Sequence, residues 1–337
     1  MDRLERLRLL YRRWAASPLA RALRTLLVVA ALAIMGWSLL IGVRDLQARA
    51  APVDVRLAGI GFAGVLLASL LGSAVWFALL CAFRLRTPWR QSIVIHMTSN
   101  VAKYIPGYGW HYVSKGYFLQ ETARPEAVFL VIFSELVVVL SSGAVLGLAA
   151  AAHYALPILG YTLAPWAAWL LILTLLGAAA GWLSFVYRRL AAGGGAHPWR
   201  DRAQTSFWAA AAWLLGGIGW LAFAAGLHLF VLALDSALAI TYPLSVLALT
   251  FSSIVSILVI FVPAGLGVRE VTMAALLAPA VPPALGVTIS ILLRLAVIVS
   301  ELLQLGLVLF WAQHWPQNLK NTIFLEKQRG NTPNGLL

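Results

Sequence analysis

The sequence predicts an all-α polytopic membrane protein, and this prediction rests on its composition and its long apolar runs. Of the 337 residues, 61% are hydrophobic and 11% are charged, whereas ordinary soluble domains contain about 45–50% and about 25%. Several charge-free runs exceed the roughly 20 residues that an apolar helix needs to cross a bilayer. The runs are continuous and rich in Leu and Ala, which indicates helices rather than the short alternating strands of a barrel.

Six runs are long enough and apolar enough to be full spans. They are 25–43, 57–83, 126–152, 158–187, 207–234 and 284–311. Two further regions, 87–124 and 242–281, fit neither a span nor a loop, because the first is too polar and the second is broken by Pro263, Gly265 and Gly267. Irregular backbone at membrane depth persists only where protein or a wet cavity surrounds it. We therefore interpret both regions as re-entrant helical hairpins, with eight full spans as the alternative.

The distribution of Lys and Arg predicts the orientation. The segments that this arrangement places in the cytoplasm contain 7 of them before residue 25, 6 in 84–124, 4 in 188–202 and 3 after 311. The outer segments contain 3 in 44–56 and none in 153–157 or 235–241. Because cytoplasmic loops carry the excess of basic residues, we expect the N-terminal segment 1–24 and the tail 313–337 to be cytoplasmic, and the membrane to be a bacterial inner (plasma) membrane.

The membrane domain, 25–312, divides into two halves, 25–152 and 158–312. Each half consists of two spans, a hairpin and a third span, in that order. Because three spans is an odd number, the second half runs opposite to the first. Inverted repeats of this kind place a substrate site near the midplane, between broken helices.

Charge and residue types exclude several functions. The formal charge of +13 would suggest a nucleic-acid partner in a soluble protein, but most of these cations lie in loops, where they set orientation and meet anionic lipid headgroups. Cys81 is the only cysteine, so an intrachain disulfide or a thiolate metal cluster cannot form. The histidines show no metal-ligand spacing, and no nucleophile lies beside an obvious base. We expect no nucleic-acid partner, no cofactor, no metal and no enzymatic activity.

The first hairpin carries the densest polar cluster of the chain. Its candidate substrate-binding residues are Asn100, Lys103, Tyr104, Pro106, Gly107, His111 and Lys115. Pro and Gly end one half-helix, and a following half-helix would point its positive N-terminus at the break. The expected occupant is an anionic headgroup, most simply a phosphate. The alternative is an amphipathic surface helix whose Lys, Tyr and Trp anchor it among the headgroups, although a surface anchor would keep its helix whole.

The second hairpin carries a similar break. Gly265 and Gly267 permit close backbone approach, and Arg269 and Glu270 follow in a stretch that is otherwise uncharged from 236 to 293. Ionisable residues at membrane depth are costly and are by default functional candidates, so we add these four to the substrate-binding set. The alternatives are a structural ion pair that closes the hairpin and an Arg269 that reaches the outer interface.

Three charged residues lie inside predicted spans: Glu135, Arg294 and Glu301. Such residues face the bundle interior and find partners there. Arg294 and Glu301 are seven residues apart, which places them on one helix face. We predict a gating or ion-pair role for all three, with Glu135 paired to Arg294 between the halves, and Arg294 also binding substrate. The alternatives are simple packing of helices and ion coupling through a carboxylate that cycles its proton.

The two breaks together carry a family resemblance. They read Asn100, Lys103-Tyr104-Ile105-Pro106-Gly107 and then Pro263-x-Gly265-x-Gly267-x-Arg269-Glu270, followed by Arg294-Leu295. This pattern resembles the membrane region of lysylphosphatidylglycerol synthases, a flippase-like domain that also occurs as stand-alone proteins, some of them linked to hopanoid or glycolipid pathways. The likeness extends from about residue 23 to about residue 311.

The resemblance implies that a lipid headgroup moves between leaflets, with Lys103, Arg269, Glu270 and Arg294 at the family's membrane-embedded polar positions. Full-length synthases carry a soluble aminoacyl-transferase domain after the membrane region, whereas this chain ends at Leu337. We therefore expect a stand-alone member that does not aminoacylate phosphatidylglycerol.

The sequence thus predicts a lipid flippase or scramblase for an anionic phospholipid or glycolipid headgroup. Its expected partners are membrane lipids with anionic headgroups, with a second copy of the chain or a lipid-modifying enzyme as further candidates. Two rival hypotheses stay open. One is a secondary transporter of a small anion, which the same inverted architecture would serve. The other is a non-transporting partner of a lipid-modifying enzyme, for which the basic loops would suffice.

Overall fold

A computed structural model of the chain describes most of the membrane domain. The described residues are 53–85, 87–104, 109–120, 123–154, 157–158, 161–162, 165–191, 198–259, 265 and 267–312, with the single positions 36, 37, 40, 44 and 47. The predicted first span, 25–43, lies almost wholly outside them, as do the predicted cytoplasmic segments 1–24 and 313–337. The placement of both termini therefore stays a prediction.

The described chain is almost entirely helical. The helices are α1 (Val55–Ala82), α2 (Trp89–Val101), α3 (Trp110–Leu119), α4 (Pro125–Tyr154), α5 (Pro165–Ala191), α6 (Pro198–Leu234), α7 (Tyr242–Leu258), α8 (Val268–Leu277) and α9 (Pro283–Ala312). A 3-10 turn, Ala102–Tyr104, follows α2. The strands β1 (Pro157–Ile158) and β2 (Tyr161–Thr162) form a two-residue antiparallel pair.

Five of these helices, α1, α4, α5, α6 and α9, are long and apolar enough to cross a membrane. Their apolar segments contain 21 to 32 residues, against the roughly 20 that a bilayer core requires. The structure therefore confirms the all-helical class and the presence of several membrane-spanning helices. The sequence explains where α1 begins. The Asp54 carboxylate caps this helix by accepting hydrogen bonds from the backbone N–H groups of Arg56 and Leu57 at 2.9 and 3.1 Å.

One predicted boundary is wrong. The span predicted from residue 158 begins instead at Pro165, because Pro157–Ile158 and Tyr161–Thr162 pair as strands. Proline suits the first turn of a helix, where its missing N–H is not needed. The helix that contains the span predicted from residue 207 begins earlier, at Pro198, and its apolar segment runs from Ala203 to Leu234.

Both regions predicted as hairpins contain two helices and a break. In the first, α2 ends in the 3-10 turn and α3 begins at Trp110. In the second, α7 has 17 residues and α8 has 10, and the described glycines between them, Gly265 and Gly267, have φ angles of +62° and +82°. Non-glycine residues rarely adopt such angles. The breaks are thus present, whereas the re-entrant path of each hairpin stays a prediction.

The centre of the fold is a close antiparallel contact between α1 and α6. Gly64 of α1 faces the backbone of Ala222 so closely that a Cβ atom there would lie 2.9 Å from the Ala222 carbonyl oxygen, and Gly226 has the same relation to Gly61. The Asp54 N–H donates to the Ala233 carbonyl at 2.9 Å at one end of the contact. Small residues permit this approach of two backbones, as they do between membrane helices in general.

The remaining contacts repeat between the two halves. The contact of α4 with α7 corresponds to that of α9 with α2. The contact of α3 with α4 corresponds to that of α8 with α9, and the contact of α1 with α9 corresponds to that of α6 with α4. If α1, α2, α3 and α4 are exchanged with α6, α7, α8 and α9, each of these contacts maps onto another. The last helix of each half therefore packs on the hairpin of the other half, and side chains from both halves reach one interior.

Candidate functional site

Apart from the exposed Arg90 and Arg124 near the ends of the first hairpin, seven charged side chains of the described residues lie in the two hairpins and in the interior of α4 and α9. They are Lys103, Lys115, Glu135, Arg269, Glu270, Arg294 and Glu301. Four are cations and three are carboxylates. Because charges at membrane depth are costly unless they are paired, the way in which they pair shows which of them are committed to the fold.

The first pair is a buried cluster of Lys115, Glu135 and His96. Lys115, on α3, has 1% of its surface exposed, and its Nζ atom donates to both carboxylate oxygens of Glu135, on α4, at 2.5 and 2.6 Å. The Nδ1 atom of His96 lies 3.2 Å from the same Nζ atom, and the Trp76 ring lies against it at 4.4 Å. Every polar group of this buried cluster has a partner, so it holds α2, α3 and α4 together.

The second pair joins the two halves, and we call it the inter-half latch: Lys103, Tyr104 and Glu301. The Nζ atom of Lys103 lies 2.5 Å from Glu301 Oε1, and the Tyr104 hydroxyl donates to Oε2 at 2.8 Å. The 3-10 turn after α2 thus places two donors on one carboxylate of α9. The Lys103 side chain is 35% exposed, which makes the latch the most accessible of the pairs.

The third pair lies where the second hairpin meets α9. Glu270 is 1% exposed, and its Oε1 atom faces Arg294 Nη1 at 2.9 Å. Its Oε2 atom accepts a hydrogen bond from the Gly267 N–H at 2.7 Å. The carboxylate therefore caps the N-terminus of α8, where negative charge is favourable, and also fixes α8 to α9.

Arg269 is the one of these seven side chains that forms no ion pair with a described residue, although Glu270 Oε1 is also buried without a hydrogen bond. Its guanidinium lies over the Phe223 ring of α6 at 5.4 Å. The Nε and Nη2 atoms are buried and have no hydrogen-bond partner, and no carboxylate of the described residues forms an ion pair with it. A guanidinium carries five N–H donors in a planar fork that suits a carboxylate or a phosphate, and two of these donor atoms are unused.

The latch and Arg269 belong to one region, which we call the central site: Lys103, Tyr104, Arg269 and Glu301. Glu270, the neighbour of Arg269, pairs with Arg294 of α9, and Glu301 of the latch lies two turns further along the same face of that helix. Residues of both hairpins therefore contact the same face of α9. Arg294 and Glu301 each lie about 16 Å from one end of α9, at about 1.5 Å per residue, so the central site is close to the middle of that helix.

The structure places the other predicted residues around this site. The amide nitrogen of Asn100 donates to the Nε2 atom of His96 at 2.9 Å, so Asn100 extends the buried cluster. His111 packs against the ring of Tyr112, with 3.7 Å between centroids. Gly265 is buried against Ser256, with no room for a Cβ atom. Pro106 and Gly107 lie outside the described residues.

The predicted contact between Glu135 and Arg294 is wrong. Glu135 pairs with Lys115 inside the first half, and Arg294 pairs with Glu270 inside the second. Each charge is satisfied by the hairpin that precedes its own helix, because that hairpin already brings an opposite charge within reach. Among the described residues, the ion pair that does cross between the halves is the one in the latch, Lys103 with Glu301.

Sequence reasoning missed His96, which contacts Asn100, Lys115 and Glu135. Its spacing of four residues from Asn100 was the available signal, because such positions are neighbours on a helix. Phe223 was also missed, since nothing in the sequence marks which aromatic ring will lie under Arg269.

Other features of the described residues do not form a rival site. A depression of about 240 Å³ lies between α4, α6 and α7, but its lining is apolar apart from Tyr242, whose hydroxyl already donates to the Leu221 carbonyl at 2.8 Å. No group of three or more His, Cys, Asp or Glu side chains in the described part of the chain is placed to hold a metal ion.

No protein-family model matches the chain, and the comparison with curated proteins finds no match. The resemblance to the membrane region of lysylphosphatidylglycerol synthases therefore stays a prediction, and the assignment of function depends on the geometry of the central site.

Proposed function

We propose that this protein is a lipid flippase or scramblase that moves an anionic headgroup between leaflets through the central site, while the lipid tails stay in the bilayer. The observation that carries the proposal is the pair of buried guanidinium atoms of Arg269, Nε and Nη2, that have no hydrogen-bond partner. Buried donors that stay unpaired are costly, so two of them on one arginine imply a ligand that supplies acceptor oxygens.

The charge balance supports an anion of low charge. Four cations and three carboxylates leave one positive charge when His96 and His111 are neutral. A headgroup with one negative charge, such as a phosphodiester, neutralises that excess. A planar guanidinium binds two phosphate oxygens at once, which favours a phosphate over a neutral sugar as the group that Arg269 recognises.

Access to the site supports a lipid as the carrier of that anion. The Lys103 side chain is 35% exposed and Tyr104 is 38% exposed, so the donors beside Arg269 are open on at least one side. The repeated helix contacts support two inverted halves that expose such a site alternately to each leaflet. The chain shows no nucleotide-binding motif, so net direction would come from a gradient, an ion couple or removal of the product.

Transbilayer movement of labelled lipids tests the proposal. In vesicles containing the purified protein, we expect a fluorescent phosphatidylglycerol to cross faster than in protein-free vesicles and faster than the matching phosphatidylcholine. The Arg269→Gln variant should lose at least tenfold in the rate for phosphatidylglycerol, since one charge-assisted bidentate contact contributes about 1.5–3 kcal/mol and 1.4 kcal/mol is tenfold.

Arg56→Gln is the matched control, because it removes the same charge from an exposed position in the first turn of α1 and should leave the rate unchanged. Equal rates for protein-containing and protein-free vesicles across anionic lipids would refute lipid transport. Wild-type rates in Arg269→Gln would refute the role of the central site.

A further inference from the structure

We infer that Glu301 acts as a built-in competitor for the substrate: its carboxylate occupies the place on Lys103 and Tyr104 that the anionic headgroup takes during transport. This inference rests on the proposed function and adds which protein group the headgroup must displace. It predicts that the wild-type protein binds its substrate more weakly than a variant in which no carboxylate covers Lys103 and Tyr104.

The geometry of the latch is that of an occupied anion site. Lys103 Nζ and the Tyr104 hydroxyl each bond a different oxygen of one carboxylate, at 2.5 and 2.8 Å. A phosphodiester would bind in the same arrangement, with two of its oxygens held by two separate donors. The carboxylate is 6% exposed and thus largely desolvated, so it is held by these donors rather than by water.

The three ion pairs differ in how readily a ligand could replace one partner. In the buried cluster, the Lys115 and Glu135 side chains are 1% and 10% exposed, and in the pair of α8 and α9, the Glu270 side chain is 1% exposed. Glu270 also caps α8 through the Gly267 N–H. Lys103 is 35% exposed, so an incoming anion can reach the latch without unfolding a helix terminus.

The accessible latch provides the first point of attachment and Arg269 provides the second. The unused Nε and Nη2 donors of Arg269 are buried, so they can hold the headgroup once it has entered beside Lys103 and Tyr104. When the headgroup takes over Lys103 and Tyr104, the ion pair between the 3-10 turn and α9 is lost. This exchange loosens one of several contacts between the two halves, which also meet through α1 and α6 and through α2 and α9.

A released Glu301 carboxylate has a cation on its own helix. Arg294 lies seven residues earlier, on the same face of α9 and two turns away. Arg294 also faces Glu270 at 2.9 Å, so the two carboxylates would share this cation after the exchange. The seven charged side chains comprise four cations and three carboxylates. With the headgroup as the fourth anion, the numbers of positive and negative charges are equal.

Binding to the detergent-purified protein tests this inference. Calorimetric titration with dioctanoyl phosphatidylglycerol should show about tenfold tighter binding to Glu301→Gln than to wild type, because a neutral amide competes less well for Lys103 than a charged carboxylate. Glu301→Asp should also bind more tightly, since its shorter side chain cannot reach both donors. Lys103→Gln and Tyr104→Phe should each bind more weakly.

Glu126→Gln is the matched control, because it neutralises an exposed carboxylate in the first turn of α4 and should bind as wild type does. Glycerophosphoglycerol, the same headgroup without acyl chains, distinguishes the source of the anion: binding that requires the chains supports a lipid, whereas equal binding without them indicates a soluble anion and contradicts the lipid as substrate.

The inference is overturned if both Glu301 variants bind phosphatidylglycerol no more tightly than wild type, or if both fail to fold, because Glu301 would then be a structural brace. Either result leaves the proposed function intact when wild-type vesicles transport the lipid. If the wild-type protein neither binds nor moves anionic lipids, the proposed function itself fails.

Discussion

At the scale of single residues, the interior charges serve two different purposes. Lys115, Glu135 and Glu270 are almost wholly buried and each pairs with a charged group of a neighbouring helix, so they stabilise the fold. Arg269 has unused donors, and Lys103 is partly open. A residue's partners, rather than its charge alone, therefore separate the structural charges from the candidates for binding.

The buried cluster gives a stability prediction. Lys115→Met should lower the free energy of unfolding by about 3–5 kcal/mol, because it leaves the Glu135 carboxylate buried without its cation. The double variant Lys115→Met with Glu135→Leu should recover most of that loss, since replacing a whole buried pair by apolar groups is often neutral. Denaturant unfolding in detergent micelles measures both.

Lys103→Met is the control for this experiment. It also removes a paired lysine, but from a side chain that is 35% exposed, and it should therefore cost clearly less than Lys115→Met. A double variant as unstable as Lys115→Met alone would contradict the interpretation of the cluster as a structural pair.

The sequence predicted which residues carry the interior charges but not which charge meets which. Five of the seven were found because charges in apolar runs are conspicuous, and Lys103 and Lys115 were found because they belong to the dense polar cluster of the first hairpin. The contact of Glu135 with Lys115 depends on how α3 folds back on α4, which hydropathy does not encode. The single contact predicted between halves was wrong for this reason, although a contact between halves does exist at Glu301.

At the scale of helices, breaks and spans were predictable to different degrees. The breaks near Lys103 and Gly265 were found because Pro and Gly interrupt apolar runs there, and the structure has helix ends at both places. The start of α5 was missed by several residues, and α6 begins several residues before the span predicted within it. Hydropathy marks where a chain enters the hydrocarbon, whereas a helix begins where its first backbone turn closes, and these two points need not coincide.

The close contact of α1 and α6 gives a prediction at this scale. In Gly64→Ala the new Cβ atom would lie 2.9 Å from the Ala222 carbonyl oxygen and 3.2 Å from the Gly226 nitrogen. Both are backbone atoms that cannot rotate away, so the helices must separate. We expect a loss of about 1–3 kcal/mol in the free energy of unfolding, measured in detergent micelles.

Gly59→Ala, in the same helix, is the control. A Cβ atom there meets nothing within 4 Å, and alanine is favoured over glycine in a helix interior by about 0.5–1 kcal/mol. This variant should therefore be as stable as wild type or slightly more so. Equal losses in both variants would show that helix propensity, rather than the approach of the two backbones, determines the result.

At the scale of the whole molecule, the two halves meet through a repeated set of helix contacts. The last helix of each half packs on the hairpin of the other, and the latch joins them through side chains. The sequence predicted this division from the order of spans and breaks alone, since the motif similarity between the halves is faint. The interior in which they meet required the structure, because it depends on how the two hairpins face each other.

The central claim is that both hairpins hold one anionic headgroup near the middle of the membrane. A density map of the full chain in nanodiscs containing phosphatidylglycerol tests it most directly. We predict headgroup density within hydrogen-bonding distance of the Arg269 guanidinium, beside the Tyr104 hydroxyl. A map in which that guanidinium contacts protein groups alone, with anionic lipid confined to the outer surfaces of the helices, would contradict the claim.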